Sequence, residues 1–214
     1  MINAAIIGTG VGLKHYEAIN GYKNIKVKVF CEKNYNKILK LKKKYIKIKY
    51  VKDYKNILDV APDVNLISIA SYDDDHFDQL KWFIKKKKNI IVEKPMVLSP
   101  DELNIIIKLV KKYKVKILSN LVLREVDFFK KIKKKIKKNE VNYIEADYWW
   151  GRAKKLFGWR SKVINYSLTL GASIHMIDIV NYLLEDKPTH VFSKGNNLHT
   201  KKSSFKKNSV VTHL

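Results

Sequence analysis

Short apolar runs recur along the first half of the chain, each followed by a segment whose apolar residues fall three and four positions apart. Ala4-Ala5-Ile6-Ile7 leads into a glycine-rich turn and then a stripe of Leu13, Tyr16 and Ile19. Ile25–Glu32 alternates with the two-residue period of a strand and is followed by a helical pattern over 37–45 with Ile38, Leu41 and Tyr45 on one face. Ile48–Val51, Val64–Ala70, Ile90–Val92 and Val115–Leu121 predict four more strands. The helices between them run over 54–58, through Phe77, Leu80, Phe83 and Ile84, and through Leu103, Ile106, Ile107 and Val110. Asp73-Asp74-Asp75 suits the positive end of the second of these. The last opens with Ser99 as N-cap, Pro100 at the first turn and Glu102 three residues on. Six strands alternating with helices predict an α/β fold, a doubly wound parallel sheet over residues 1–118.

The pattern changes after that. Phe128, Phe129, Ile132 and Ile136 stripe a helix whose other faces are lysine, as a solvated amphipathic helix requires. Val141–Trp150 alternates as a strand, Trp159-Arg160 lies in a loop, and 168–184 reads as a helix with His175 and Asp178 on one face. Val191-Phe192 and Val210-Val211 predict short strands. Residues 119–214 therefore read as a second, α+β domain.

A parallel sheet binds ligands outside the carboxyl ends of its strands. Four polar strand ends fall at that edge: Gly8-Thr9-Gly10-Val11-Gly12, Glu32, Ser71-Tyr72 and Glu93-Lys94. A strand, a glycine turn and a helix form the context of a Rossmann dinucleotide site, in which the turn brings backbone N–H groups to a pyrophosphate. Its third glycine belongs at position 13, where Leu13 stands, and Gly12 comes one residue early; the alternative is a plain tight turn. Glu32, 22 residues beyond Gly10, stands where an acidic residue accepts hydrogen bonds from the adenosine ribose. A carboxylate there favours NAD over NADP, although Lys33 beside it softens the preference and keeps NADP possible; the alternative is an acidic residue facing water. Glu93-Lys94-Pro95 places opposite charges at the end of a buried strand, which suits a cleft better than a core. His76 reads as helix-start packing, and no spacing of Cys and His suits zinc, so no metal is expected.

Composition narrows the picture. The 214 residues hold one cysteine, Cys31, which excludes an internal disulfide and favours a reducing compartment. Neither a signal peptide nor an apolar run long enough to span a bilayer is evident, so a cytoplasmic, membrane-free protein is expected. The net charge of +24 invites a nucleic-acid partner, but only three of the 44 basic residues are arginine: Arg124, Arg152 and Arg160. Arginine is the residue of bidentate base contacts. A solvated lysine surface is the expectation, with no nucleic-acid partner; binding of polyanions through that charge is the competing reading.

Several motifs together resemble the glucose–fructose oxidoreductase and inositol dehydrogenase family of NAD(P)-dependent sugar dehydrogenases. They are G-T-G-V-G-L-K-H at 8–15, E-K-P at 93–95, S-N-L-V-L-R at 119–124, Y-W-W-G-R at 148–152, G-W-R at 158–160 and L-G-A-S-I-H-M-I-D at 170–178. The resemblance implies that NAD(P) lies across the strand ends, contacting Gly8, Thr9, Gly10, Val11, Gly12, Glu32, Ser71, Tyr72, Glu93 and Lys94. It implies that Lys94 orients and polarises a sugar or sugar-nucleotide hydroxyl, and that His175 serves as acid/base. Arg124, Tyr148, Arg152, Trp159, Arg160 and Asp178 would approach the substrate. The details resemble bacterial members placed in surface-polysaccharide pathways, and full-length relatives are expected to be homo-oligomers.

Two departures from the family stand out. Many members carry an aspartate four residues before the histidine, where this chain has Gly171. Members usually run about half as long again and complete a large open-faced sheet in the second domain, so the resemblance implies an incomplete α+β domain here, truncated inside that open-faced sheet. A working NAD(P)-dependent sugar dehydrogenase is the expected function; an NAD-binding protein without catalysis, a remnant or a regulator, is the alternative with which these departures are consistent.

Overall fold

Ala4, Ala5, Ile6 and Ile7 show no alternation because their strand lies in the interior of a six-stranded parallel sheet with both faces covered. The computed structural model describes residues 1–137, 140–149, 154, 157–163, 166–196 and 209–213. The chain divides into two units, Met1–Asn120 and Leu121–Leu214.

In the first unit the strands are β1 (Ile2–Ile7), β2 (Ile25–Cys31), β3 (Lys49–Val51), β4 (Leu66–Ile69), β5 (Asn89–Val92) and β6 (Ile117–Ser119). Their order is β3-β2-β1-β4-β5-β6, and every pairing is parallel. This is the Rossmann order, and the chain reverses its direction of travel across the sheet between β1 and β4. Helices α1 (Gly12–Asn20), α2 (Tyr35–Lys44), α3 (Ile57–Val60), α4 (His76–Lys85) and α5 (Pro100–Tyr113) supply the crossovers. Ala5, Ile7, Val29 and Ile67 pack on one face with Leu80, Phe83 and Ile84 of α4 and Ile106 of α5. Ala4, Ile6, Val27 and Phe30 pack on the other with Ile19 of α1. The α5 start is capped as its sequence predicts: Ser99 Oγ accepts from Glu102 N at 3.2 Å. The Glu102 carboxylate takes the N–H of Leu98 at 2.9 Å.

The second unit contains α6 (Asp127–Lys135), α7 (Ile174–Leu184) and the antiparallel pair β7 (Phe192–Asn196) and β8 (Ser209–His213). Lys133 joins the two helices, donating to the Tyr182 carbonyl at 2.6 Å and lying 4.4 Å over its ring. The strand predicted over 141–150 does not form within its described part, 141–149. Alternation marks a face but supplies no ladder partner, and Tyr143 and Trp149 remain 80% and 92% exposed. Trp159-Arg160, expected in a loop, opens a short 3₁₀ turn, Trp159–Lys162. A π-turn, Thr169–Ser173, runs directly into α7.

Candidate active site

The turn after β1 is shaped by backbone contacts. Gly8 has φ of +83°, and a Cβ there would lie 2.8 Å from Ser71 N and closer still to the Ala70 carbonyl. Gly8 N donates to the Cys31 carbonyl at 2.8 Å, and Ala70 N to Ile7 at 2.8 Å, so β1 and its neighbours close around the turn. Gly10 is exposed, with nothing within 4 Å of its Cβ position. At Gly12 a Cβ would meet Ile6 Cγ2 at 2.8 Å. Close packing of helix on strand, the task of the fingerprint's third glycine, is therefore carried out one residue early. The α1 N-terminus has no side-chain cap and no acidic residue in its first turn, so its N–H groups and positive dipole end suit an anion.

Glu32, at the end of β2, is 8% exposed. It accepts from the Thr9 hydroxyl, from Thr9 N at 3.3 Å and from Asn34 N at 2.9 Å, with Lys37 Nζ 3.7 Å away. Burial pushes its pKa up, but these donors and the lysine outweigh burial and hold it below the ordinary glutamate value. The neighbouring Lys33 is engaged with Asp75 at 2.9 Å. Ser71 Oγ donates to Gln79 Oε1 at 2.8 Å, while the Tyr72 side chain is 53% exposed.

Glu93 and Lys94 follow β5, whose ladder continues through Glu93 N to the Ile69 carbonyl at 2.9 Å. Lys94 is half-buried, and its peptide bond to Pro95 is cis. Glu93 Oε1 receives His15 Nε2 at 2.8 Å and Asn120 Nδ2 at 2.7 Å. Its Oε2 accepts from Lys94 N at 3.3 Å. Burial again raises the carboxyl pKa, and the hydrogen bonds from His15 and Asn120 overcome it, holding Glu93 below the ordinary glutamate value. Motif reasoning gave His15 and Asn120 no role, although both lie within the quoted stretches 8–15 and 119–124.

His76 supports the same loop. It is fully buried at the start of α4, and its Nδ1–H donates to the Pro95 carbonyl at 2.9 Å. Its Nε2 is buried without a hydrogen-bond partner, so an added proton would be unsolvated. Burial accordingly lowers its pKa against the smaller opposing pull of the Pro95 and Ser71 carbonyls, Glu93 and Asp75. A histidine held neutral stabilises the fold fully above its unfolded pKa of about 6.5, and that contribution is lost as pH falls below it. Unfolding free energies from urea titrations between about pH 7.5 and about pH 5.5 should drop by up to about 1.4 kcal/mol per unit below about 6.5, and His76→Gln should flatten that slope. Glu32 and Glu93, with lowered pKa values, lose their contributions only below about 4.5, so the two windows separate.

In the second unit, Tyr148 stacks on His175, ring centroids 5.7 Å apart at 23°. His175 is 9% exposed. Arg124 and Asp178 engage each other in a bidentate pair, with Nε to Oδ2 at 2.8 Å, rather than standing as separate charges. Arg160 lies 4.2 Å over the Trp159 ring and donates from Nε to Tyr166 Oη at 3.0 Å. A Cβ at Gly171 would fall on that hydroxyl and 2.7 Å from Tyr166 Cζ, so Tyr166 occupies the space of any larger residue there. Tyr166 was not legible as a site neighbour from sequence. Arg152 lies outside the described residues. Among the described residues no group of three or more His, Cys, Asp or Glu could hold a metal ion, and no helix is long and apolar enough to cross a membrane.

Comparisons with known proteins add the family. Residues 2–121 match the GFO/IDH/MocA family, described as an oxidoreductase family with an NAD-binding Rossmann fold. The oxidoreductase YrbE of Bacillus subtilis is 28% identical over 201 residues, covering 91% of this chain and 57% of its own. Oxidoreductase P35 of Formosa agariphila is 30% identical over 155 residues, covering 69% and 46%. Among solved structures, a myo-inositol 2-dehydrogenase from Lactobacillus plantarum has a TM-score of 0.82 at 19% identity, covering 94% of this chain and 61% of its own. A scyllo-inositol dehydrogenase from Lactobacillus casei, with bound NAD(H) and scyllo-inositol, has a TM-score of 0.75 at 18% identity, covering 91% and 59%. The chain thus spans about half the length of these curated relatives, 57% and 46%. On its fold, its motifs and this match, the chain belongs to the GFO/IDH/MocA oxidoreductase family, the glucose–fructose oxidoreductase and inositol dehydrogenase family that its sequence resembles.

Proposed function

We propose that this chain binds NAD(H) along the carboxyl edge of its first unit and transfers hydride between the cofactor and a carbinol carbon of a sugar, sugar nucleotide or cyclic polyol. Sugars destined for surface polysaccharides fall within that substrate class. The observation that carries the reading is the open Gly10 position beside an uncapped helix start, at the same sheet edge as Glu32 and Lys94. The residues fit the cofactor. Gly8 to Gly12 form a cradle that side chains would fill, and Glu32 is an acceptor for a ribose diol.

The nicotinamide ring supplies the hydride acceptor. Lys94, half-buried at the end of β5, polarises and orients the hydroxyl through its ammonium. His175 takes the hydroxyl proton, a task suited to an imidazole and typically contributing about 10²–10⁴-fold. Trp159 and Arg160 offer an apolar face and a guanidinium for the substrate, and Tyr148 sets the plane of the His175 ring. The pairing of Arg124 with Asp178 supports a structural use for both. A second reading, dinucleotide binding without turnover, is supported by Tyr166 filling the space at Gly171.

Gly10→Ala separates cofactor binding from folding. Its methyl group would meet nothing in the protein, so thermal stability should change by less than about 1 kcal/mol, the cost of an ordinary surface substitution. The same methyl group would stand where a pyrophosphate must approach, and calorimetric affinity for NADH should fall at least about tenfold, the equivalent of about 1.4 kcal/mol. Equal NADH affinity in the two proteins, or no binding to the wild type, refutes the site.

A further inference from the structure

We propose that His15 is a positioning residue for the reaction: reaching from α1, it fixes the Glu93 carboxylate and through it the backbone of Lys94. The inference rests on the cofactor reading above, since α1 is the helix whose first turn would face the pyrophosphate.

The hydrogen-bond roles follow from chemistry. An ionised Glu93 only accepts, so the proton between it and His15 sits on Nε2, and the 2.8 Å contact is N–H donating to Oε1. In the neutral ring Nδ1 then accepts from Ser68 Oγ at 2.7 Å, and Ser68 is fully buried on β4. Asn120 Nδ2 converges on the same Oε1 at 2.7 Å. His15 from the first turn of α1 and Asn120 from the end of β6 thus meet on the Glu93 carboxylate at the end of β5, with Ser68 of β4 behind the imidazole. That carboxylate turns back to hold the amide of Lys94 at 3.3 Å.

Stability alone is a poor reason for this cluster. The side chains of His15 and Glu93 are 8% and 17% exposed, and a buried ion pair often contributes no more than apolar residues of the same volume. What a fully connected polar network supplies is a fixed geometry. Here it fixes the backbone of Lys94 relative to the glycine turn, because the helix that opens at that turn holds the carboxylate next to the lysine. Freeing Glu93 would cost stability, since it leaves a largely buried carboxylate short of a donor, and would let Lys94 wander.

Reductive methylation of the whole chain, quantified for each lysine by peptide mass spectrometry, tests this directly. The exposed Lys23, ahead of β2 and away from the carboxyl edge of the sheet, serves as an internal reference. His15→Leu should raise the Lys94 methylation rate about tenfold relative to Lys23, the change expected when a charge-assisted hydrogen bond is lost. His15→Gln, which restores an N–H donor near Oε1, should return most of the difference. Glu93→Gln, isosteric with the wild type, provides the same reading if His15→Leu fails to fold. With saturating NADH, Lys94 of the wild type should be protected and Lys94 of His15→Leu much less so. A Lys94 rate unchanged in folded His15→Leu and in Glu93→Gln overturns the proposal. If the wild type binds no NADH, the cofactor reading falls by itself, and the ligand-free rates still decide whether His15 positions Lys94.

Discussion

Gly8→Ala should lose about 2–5 kcal/mol of stability and its dinucleotide site together. A side chain at left-handed φ costs about 1–2 kcal/mol. The displacement it forces adds about 1–3 kcal/mol, in the range of overpacking. The atoms that a methyl group would meet are main-chain atoms of Ala70 and Ser71, which cannot rotate aside as the end of a flexible side chain could. They also belong to the continuation of β4, where Ala70 N donates to the Ile7 carbonyl, so pushing them breaks the ladder at the point where the sheet reverses direction. For a unit of this size the thermal midpoint should fall by roughly 8–20 °C, taking about 4 °C per kcal/mol. The contrast with Gly10→Ala is the informative part: two alanines two residues apart, one breaking the fold and one only the site.

Lys94→Met should reduce turnover of any substrate the wild type accepts by about 10²–10⁴-fold while leaving the NADH dissociation constant within about threefold. Methionine keeps much of the apolar stem and removes the ammonium, so the substitution tests charge rather than packing. Glu93 accepts from the backbone N–H of this residue, which the substitution keeps, so the brace of His15, Glu93 and Asn120 survives the change. NADH absorbance during steady-state assays with a panel of cyclic polyols, sugars and sugar nucleotides reads the effect. Turnover equal to the wild type would remove Lys94 from the chemistry and leave its half-buried position as packing.

Much of the first unit was legible because local pattern and global fold agree there. Apolar runs such as Ala4–Ile7 and Ile90–Val92 belong to strands covered on both faces, and Ser99-Pro100-Asp101-Glu102 marks a helix start by side-chain chemistry alone. Gly8 and Glu32 were legible because a glycine turn and a strand-end carboxylate have a recognisable spacing. The brace was not. His15, Ser68 and Asn120 are separated by 53 and 105 positions along the chain from one end to the other, and only strand order brings them to Glu93. A histidine one turn into a helix carries no sign in sequence of which carboxylate it will meet. In the second unit, alternation over 141–150 predicted a strand that its described part does not form, since a period of two describes a face and not a partner. Tyr166 was invisible for a related reason: its hydroxyl matters because Gly171, five residues away, leaves room for it.

The central claim is that four separate strand ends form one dinucleotide site. Hydrogen exchange with and without saturating NADH, read by mass spectrometry at peptide resolution, tests it most directly. Exchange should slow at residues 8–14, around Glu32, at 71–72 and at 93–95, with little change along the lysine-rich helices α2 and α6. Protection confined to those helices, or no protection anywhere at saturating NADH, would contradict it.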